Sequence, residues 1–262
     1  YALNEANGEV LWQTTVPGEV VASPAVEDGR VVVLTTSGRL MALDTDEGKL
    51  QWTLSEEQPP LTLRSAGAPI ITNGAVIYGR ADGKVGIALL SNGQPVRQSK
   101  VADPRGATEL DRMVDVDASP LIAGDELYAI AYNGQLMARK LMSGDEVWKR
   151  KYSGYRDMAV TGNAIVLTDS RSHLFAVDRR NGLELWSNTQ LENRTVTAPV
   201  VLGDYVVVGD VEGYLYWLDR TDGSIKAMQQ LDSSGLYAAP LVDGDTLYVQ
   251  SRGGKLYAIK RP

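Results

Sequence analysis

The 262-residue sequence contains no cysteine. That absence excludes disulfides, thiolate zinc sites, iron–sulfur clusters and cysteine nucleophiles together. It leaves the compartment open, because periplasmic and cytosolic proteins can both lack cysteine. Histidine occurs once and phenylalanine once, against 12 tyrosines. Positive charge is in deficit: Lys plus Arg is 26, Asp plus Glu is 33, and the net charge is −7. That balance disfavours a nucleic-acid or anionic-membrane surface, which needs a basic field. No stretch approaches the roughly 20 apolar residues of a membrane-spanning helix. No segment sustains an i, i+3, i+4, i+7 apolar pattern, so almost no helix is expected.

What is present is an ordinary globular composition, with 44% apolar and 23% charged residues. Its organisation is an internal repeat. A small residue, an aliphatic, a polar turn, Gly and then Trp four residues later occur at Ala2, Gly8 and Trp12. The phrase returns at Ala42, Gly48 and Trp52, at Ala138, Gly144 and Trp148, and at Ala176, Gly182 and Trp186. Weaker copies have Arg97 after Gly93 and Ala227 after Gly223, and Leu256-Tyr257-Ala258-Ile259 opens one more. The six turn glycines are 40, 45, 51, 38 and 41 residues apart. Between them lie Pro24, Pro69, Pro120, Pro199 and Pro240, with Ala159-Val160 in the unit that lacks the proline. Each proline precedes an apolar run, a Gly/Asp/Asn turn, a β-branched run and a Gly-x-Leu-x-Ala-Leu-like run. Each unit therefore reads as four short strands.

A period near 40 with four strands per unit is the arithmetic of a β-propeller of four-stranded antiparallel blades. Stacking buries both apolar faces of each blade, and the recurrent Trp is expected between neighbouring blades. Six units are visible. They could close a ring alone, or belong to an eight-bladed ring lacking its first two blades. The chain starts at Tyr1-Ala2-Leu3, which reads as the end of a strand. We expect a single propeller domain over 1–262 that is a fragment of a longer chain.

Function is sought where the repeats deviate. The connection from the Trp position to the Pro position is 12 residues after Trp12 and 13 after Trp186 and Ala227, but 17 after Trp52 and 23 after Arg97. Two adjacent blades thus carry insertions in the same loop, side by side on one face. The first runs Ser55-Glu56-Glu57-Gln58-Pro59-Pro60-Leu61-Thr62-Leu63-Arg64. The second contains Thr108-Glu109-Leu110-Asp111-Arg112 and Asp115-Val116-Asp117. If extended, it puts Asp111, Asp115 and Asp117 on one face. Aliphatic anchors beside charges suit a protein interface. Alternatively, Leu61 and Leu63 fold back onto the blades and Arg64 pairs internally with Asp115 or Asp117.

Sites for other chemistry are weak. His173 aligns with Arg39, Gln135, Tyr214 and Lys255, a position expected to be solvated, and has no matching partner as base or metal ligand. Asp44-x-Asp46-x-Gly48 and Asp219-x-x-Asp222-Gly223 hint at calcium loops but fall on the repeated turn and lack a glutamate at the right offset. Arg252-Gly253-Gly254 joins two strands and opens no helix, so it is no phosphate cradle. No catalytic residue, cofactor or metal is expected.

The Trp repeat resembles the blades of pyrroloquinoline-quinone dehydrogenase-like propellers over the whole chain. Those enzymes use a vicinal cysteine pair and a calcium-bound cofactor, which this sequence cannot match. The two insertions, with Gly209-Asp210-x-Glu212-Gly213-Tyr214-Leu215 and Asp232-Ser233-Ser234-Gly235, are similar to the BamB family. These are propeller lipoproteins of the outer-membrane β-barrel assembly (BAM) machinery. That resemblance implies an eight-bladed propeller in the periplasm, tethered to the inner leaflet of the outer membrane through a lipidated cysteine not in this chain. It implies a non-enzymatic scaffold that binds the POTRA domains of BamA, and possible contact with unfolded outer-membrane proteins. The implied contact residues are Leu61, Leu63, Arg64, Asp115 and Asp117, with Glu109, Asp111 and Arg112 as further candidates. A quinoprotein-type enzyme and a generic periplasmic protein-binding propeller are the alternatives.

Overall fold

The computed structural model describes residues 1–63 and 66–262. Seven sheets follow one another along the chain, and no helix forms among the described residues. The first sheet pairs β1 (Ala2–Leu3) with β2 (Val10–Trp12). The second is β3 (Ala25–Glu27), β4 (Arg30–Leu34), β5 (Arg39–Asp44) and β6 (Leu50–Ser55). The third is β7 (Ile70–Thr72), β8 (Ala75–Gly79), β9 (Lys84–Leu89) and β10 (Pro95–Lys100). The fourth is β11 (Leu121–Ala123), β12 (Glu126–Ile130), β13 (Leu136–Lys140) and β14 (Glu146–Arg150). The fifth is β15 (Ala159–Thr161), β16 (Ala164–Thr168), β17 (Leu174–Asp178) and β18 (Glu184–Asn188). The sixth is β19 (Val200–Leu202), β20 (Tyr205–Gly209), β21 (Tyr214–Asp219) and β22 (Ile225–Gln230). The seventh is β23 (Leu241–Asp243), β24 (Thr246–Gln250) and β25 (Leu256–Lys260). Within each sheet the strands bond in sequence order. The six glycine turns fall in the first six sheets, and Leu256–Ile259 marks the seventh.

Hairpin chemistry sets the path. The first turns of the second and third sheets are Asp28-Gly29 and Asn73-Gly74, each with positive φ at both residues (47° and 72°, 49° and 71°). That is the type I′ geometry, whose twist matches paired strands. Later sheets place Gly first, at Gly162 and Gly203, as type II′ turns require.

The chain divides into two compact units, 1–120 with 129–136, and 121–128 with 137–262. In the first, β3 runs beside β7. Val32, Leu34, Leu40, Ala42 and Trp52 of the second sheet pack on Val76, Tyr78 and Ala88 of the third and on Leu90 just beyond it. In the second, β15 lies beside β19 and β19 beside β23. Val206 and Val208 face the fifth sheet, while Val207 between them faces the seventh. The alternation of a strand buried on both faces thus serves two interfaces at once. Each fully buried aliphatic contributes about 1.5–3 kcal/mol.

The repeated Trp links consecutive sheets. Its indole Nε1 donates to a main-chain oxygen of the next sheet: Trp12 to Thr45 (2.7 Å), Trp52 to Leu90 (2.8 Å), Trp148 to Arg179 (2.7 Å) and Trp186 to Arg220 (2.9 Å). The turn glycine of that next sheet lies under the ring. A Cβ at Gly48, Gly93, Gly182 or Gly223 would come 2.4–2.5 Å from the Trp Cε3, and φ there is +67° to +73°. Both space and backbone therefore demand glycine. Within its own sheet the Trp faces a small partner, in the pairs Ala2–Trp12, Ala42–Trp52 and Ala176–Trp186. Where the Trp is missing, the partner grows: Ile87 opposes Arg97, and Trp217 opposes Ala227. In the second of these the Trp and Ala exchange sides and the pair keeps its volume.

Candidate functional site

The two insertions meet within the first unit. The first leaves β6, and its opening residues are tied to the second and third sheets. Glu56 N–H donates to Gly38 O (3.0 Å). The Glu56 carboxylate accepts from Tyr78 Oη (2.5 Å) and pairs with Arg80 (2.5 Å). Burial and the Glu56 hydrogen bond both push the Tyr78 hydroxyl pKa up. Arg80 also pairs with Asp82, which takes Lys84 as well. After Pro59-Pro60 the chain turns outward and Leu61 is 42% exposed. Leu63 is half-buried. Arg64 lies outside the described residues, so its expected pairing with Asp115 or Asp117 does too.

The second insertion begins with Val101 and Ala102, whose amides both donate to Gly83 O (2.9 and 3.0 Å). Residues 103–112 form an exposed tip. There Asp111 accepts from the Thr108 amide (3.2 Å) and hydroxyl (2.7 Å), which holds its carboxyl below the usual range. Arg112 reaches back to Gly106 O (3.0 Å) and Glu109 (3.4 Å). Leu110, at the crown, is 62% exposed.

From Met113 to Ala118 the chain dives inward and every residue is buried. Val116 N–H donates to Arg80 O (3.1 Å), and Tyr132 N–H donates to Asp115 O (2.9 Å). Asp115 is 1% exposed and Asp117 7%. Burial pushes the Asp115 carboxyl up to about 6, opposed by the hydrogen bond from Leu63. Burial and the neighbouring Asp115 push Asp117 up to about 7. Among the described residues the Oδ2 atoms of both have no hydrogen-bond partner.

Three contacts join the insertions. Leu63 N–H donates to Asp115 Oδ1 (2.9 Å), and Ala68 N–H donates to Ser119 Oγ (2.9 Å). Gly67 lies so close to the second loop that a Cβ would meet Asp117 O, Ala118 C and Ser119 N at 2.7 Å. Gly79 likewise admits Val116 O. A cleft beneath them, lined by Thr35, Glu56, Gln58, Tyr78, Arg80 and Asp117 among others, has a volume of about 20 Å³. That is room for a water molecule.

The structure therefore brings Leu61, Leu63, Asp115 and Asp117 into one joined pair of loops. It does not put Asp111, Asp115 and Asp117 on one face. Asp111 belongs to a local turn at the tip, and the other two carboxylates lie inside, where Asp115 takes the Leu63 amide from the first loop. Leu110 and the Glu56–Tyr78–Arg80 cluster were missed by spacing alone. An isolated arginine right after a buried strand, at Gly79-Arg80, was the available signal for the cluster.

His173 is not solvated. Its side chain is 13% exposed, with Nδ1 2.9 Å from Asp169 Oδ2, Nε2 3.6 Å from Glu192 Oε1, and the ring edge-on to Phe175. Strand β17 and the turn before it fold it inward. The acidic turns serve their own backbones: Asp44 Oδ1 accepts from the Asp46 and Glu47 amides, and Asp219 Oδ1 from Thr221. No group of three or more His, Asp or Glu side chains among the described residues has metal-binding geometry.

A family model described as outer membrane protein assembly factor BamB matches residues 1–188 and 184–261. The chain belongs to the BamB family. The outer membrane protein assembly factor BamB of Shewanella oneidensis is 46% identical over 200 residues, 76% of this chain and 51% of that protein. BamB of Escherichia coli K12 is 39% identical over 201 residues, 77% of this chain and 51% of that protein. The crystal structure of BamB from Moraxella catarrhalis superposes with a TM-score of 0.94 at 26% identity, covering 99% of this chain and 78% of that one. The fold is thus the all-β propeller of BamB. The chain spans about half the length of the curated relatives it matches. The other BamB-like stretches play structural parts. Asp210 is fully buried and accepts from the Glu212 and Tyr214 amides, Tyr216 Oη and Arg194. Asp232, held well below the usual range by Ser234, sits under Gly213 and takes Lys255.

Proposed function

We propose that the chain is part of a non-enzymatic scaffold subunit of the outer-membrane β-barrel assembly machinery, working in the periplasm on the inner leaflet of the outer membrane. Its two inserted loops capture the POTRA domains of BamA, and so assist insertion of outer-membrane proteins. One observation carries this reading: the Leu63–Asp115 hydrogen bond fastens the two lengthened loops to each other.

The chemistry divides by depth. Leu61 presents apolar area, Leu63 is half-buried, and Arg64 follows in sequence with a guanidinium suited to orienting a partner. Glu109, Asp111 and Arg112 supply charges at the rim. Asp115 acts from inside, by fixing the loop that carries Leu61, and Asp117 lies buried beside it. A preformed loop loses less entropy on binding.

Capture of the BamA periplasmic region by immobilised protein tests this, with circular dichroism monitoring the fold. Leu61→Ala, Arg64→Ala and Asp115→Ala should each lose most of the captured BamA while keeping the β spectrum. Asp115→Asn, which retains an acceptor for Leu63 N–H, should keep most of it. Undiminished capture by all three alanine variants would sink the assignment.

A further inference from the structure

Five Asn-Gly pairs occur in the sequence, at Asn7, Asn73, Asn92, Asn133 and Asn181. All share the same following residue, so local sequence ranks them nearly alike. The fold does not. We propose that Asn73 is the protein's preferred site of spontaneous deamidation, with the Gly74 amide nitrogen as nucleophile and water as co-reactant.

The reaction needs a glycine amide that can lose its proton and attack. At four pairs that N–H is already committed: Gly8 to Asn4 O (2.7 Å), Gly93 to Leu89 O (2.8 Å), Gly134 to Ala131 O (3.3 Å) and Gly182 to Asp178 O (2.7 Å). Three of the side chains are committed as well. Asn7, Asn92 and Asn181 Oδ1 accept the amide two residues on, at 2.9–3.1 Å. Gly93 and Gly182 are also covered by the rings of Trp52 and Trp148.

Asn73–Gly74 differs on each count. The Gly74 N–H and the Asn73 side chain make no hydrogen bond among the described residues. Both residues are exposed at the tip of the β7–β8 hairpin, and nothing lies within 4 Å of the place where a Gly74 Cβ would stand. The left-handed turn holds the pair apart until β7, a three-residue strand, frays at its end.

The Gly74 nitrogen gives its proton to solvent and bonds to Asn73 Cγ. The Cγ–Nδ2 bond breaks, and the nitrogen leaves as ammonia. Water then opens the cyclic imide at either carbonyl, leaving aspartate or isoaspartate. Both add one negative charge, and isoaspartate inserts a methylene into a two-residue turn. Gly74 O accepts from Leu90 N (2.9 Å), and Leu90 O accepts the Trp52 indole (2.8 Å). The lesion therefore lies two hydrogen bonds from an inter-sheet tryptophan.

Native protein and urea-unfolded chain are aged in parallel at mildly alkaline pH. Peptide mapping with fragmentation that separates aspartate from isoaspartate reads all five sites. Asn73 should convert several-fold faster than each other site in the native protein, and the five rates should draw together when unfolded. Another native site leading, five equal native rates, an Asn73 preference that survives unfolding, or an Asn73 intact while the unfolded chain converts would each overturn the proposal.

Discussion

Replacing Asp117 by asparagine should stabilise the protein at alkaline pH and leave it unchanged only below about pH 3.8, where the carboxyl is protonated in both states. Asp117 is buried, its Oδ2 has no partner among the described residues, and its carboxyl is pushed up to about 7 from an ordinary 3.8 by burial first and Asp115 second. The folded state therefore holds this proton more tightly than the unfolded one. Stability is greatest below the unfolded value and falls as pH rises through the folded one. Each pKa unit is worth about 1.4 kcal/mol, so the full displacement sets a ceiling near 4 kcal/mol, and relaxation around the charge brings the expected cost to about 2 kcal/mol. Asp117→Asn removes that cost in nearly the same shape. At about pH 8 its thermal midpoint should rise by roughly 4–8 °C; the gain should shrink as pH falls from about 7 and vanish only below the unfolded value of 3.8, at about pH 3. Tryptophan fluorescence melts across pH measure both. A variant less stable than the parent at the higher pH would refute the reasoning, because it would mean that a cation neutralises the carboxylate.

Other consequences can be tested alongside. Gly182→Ala, which drives a Cβ against Trp148 at positive φ, should cost about 2 kcal/mol or more in urea unfolding. Trp186→Phe should cost about 1 kcal/mol beyond lost area, for the hydrogen bond to Arg220 O, and Trp186→Ala about 3–5 kcal/mol. Leu61→Ala should change the unfolding free energy by less than about 1 kcal/mol while weakening BamA capture, since 42% of the residue stays exposed.

The Gly-to-Trp spacing made the architecture legible, because one contact is built again and again: the indole of one sheet on the turn glycine of the next. Spacing could not show that Ile87 and Trp217 compensate for the missing tryptophans, since cross-strand pairs depend on a bulge that shifts register. At the loops, length alone pointed to the two insertions that the structure fastens together. The alternation of Asp111, Asp115 and Asp117 suggested one acidic face, but a Thr108–Asp111 turn ends the regular chain before Met113. Burial of the last two carboxylates was illegible because it depends on Gly67 and Gly79, which let the second loop pass close to the first sheet edge it meets. His173 misled for a similar reason. Its aligned positions differ in sequence, and only the fold brings Asp169 and Glu192 to it.

The central claim is that the joined loops are the face that meets BamA. Site-specific photo-crosslinking in intact cells tests it most directly, with the probe at position 61 or 110 of the full-length protein and a control at the exposed Leu185 of strand β18. The account predicts BamA adducts from the loop positions and none from Leu185, with the loop adducts lost on Asp115→Ala and kept on Asp115→Asn. Adducts from Leu185 with none from either loop position would contradict it.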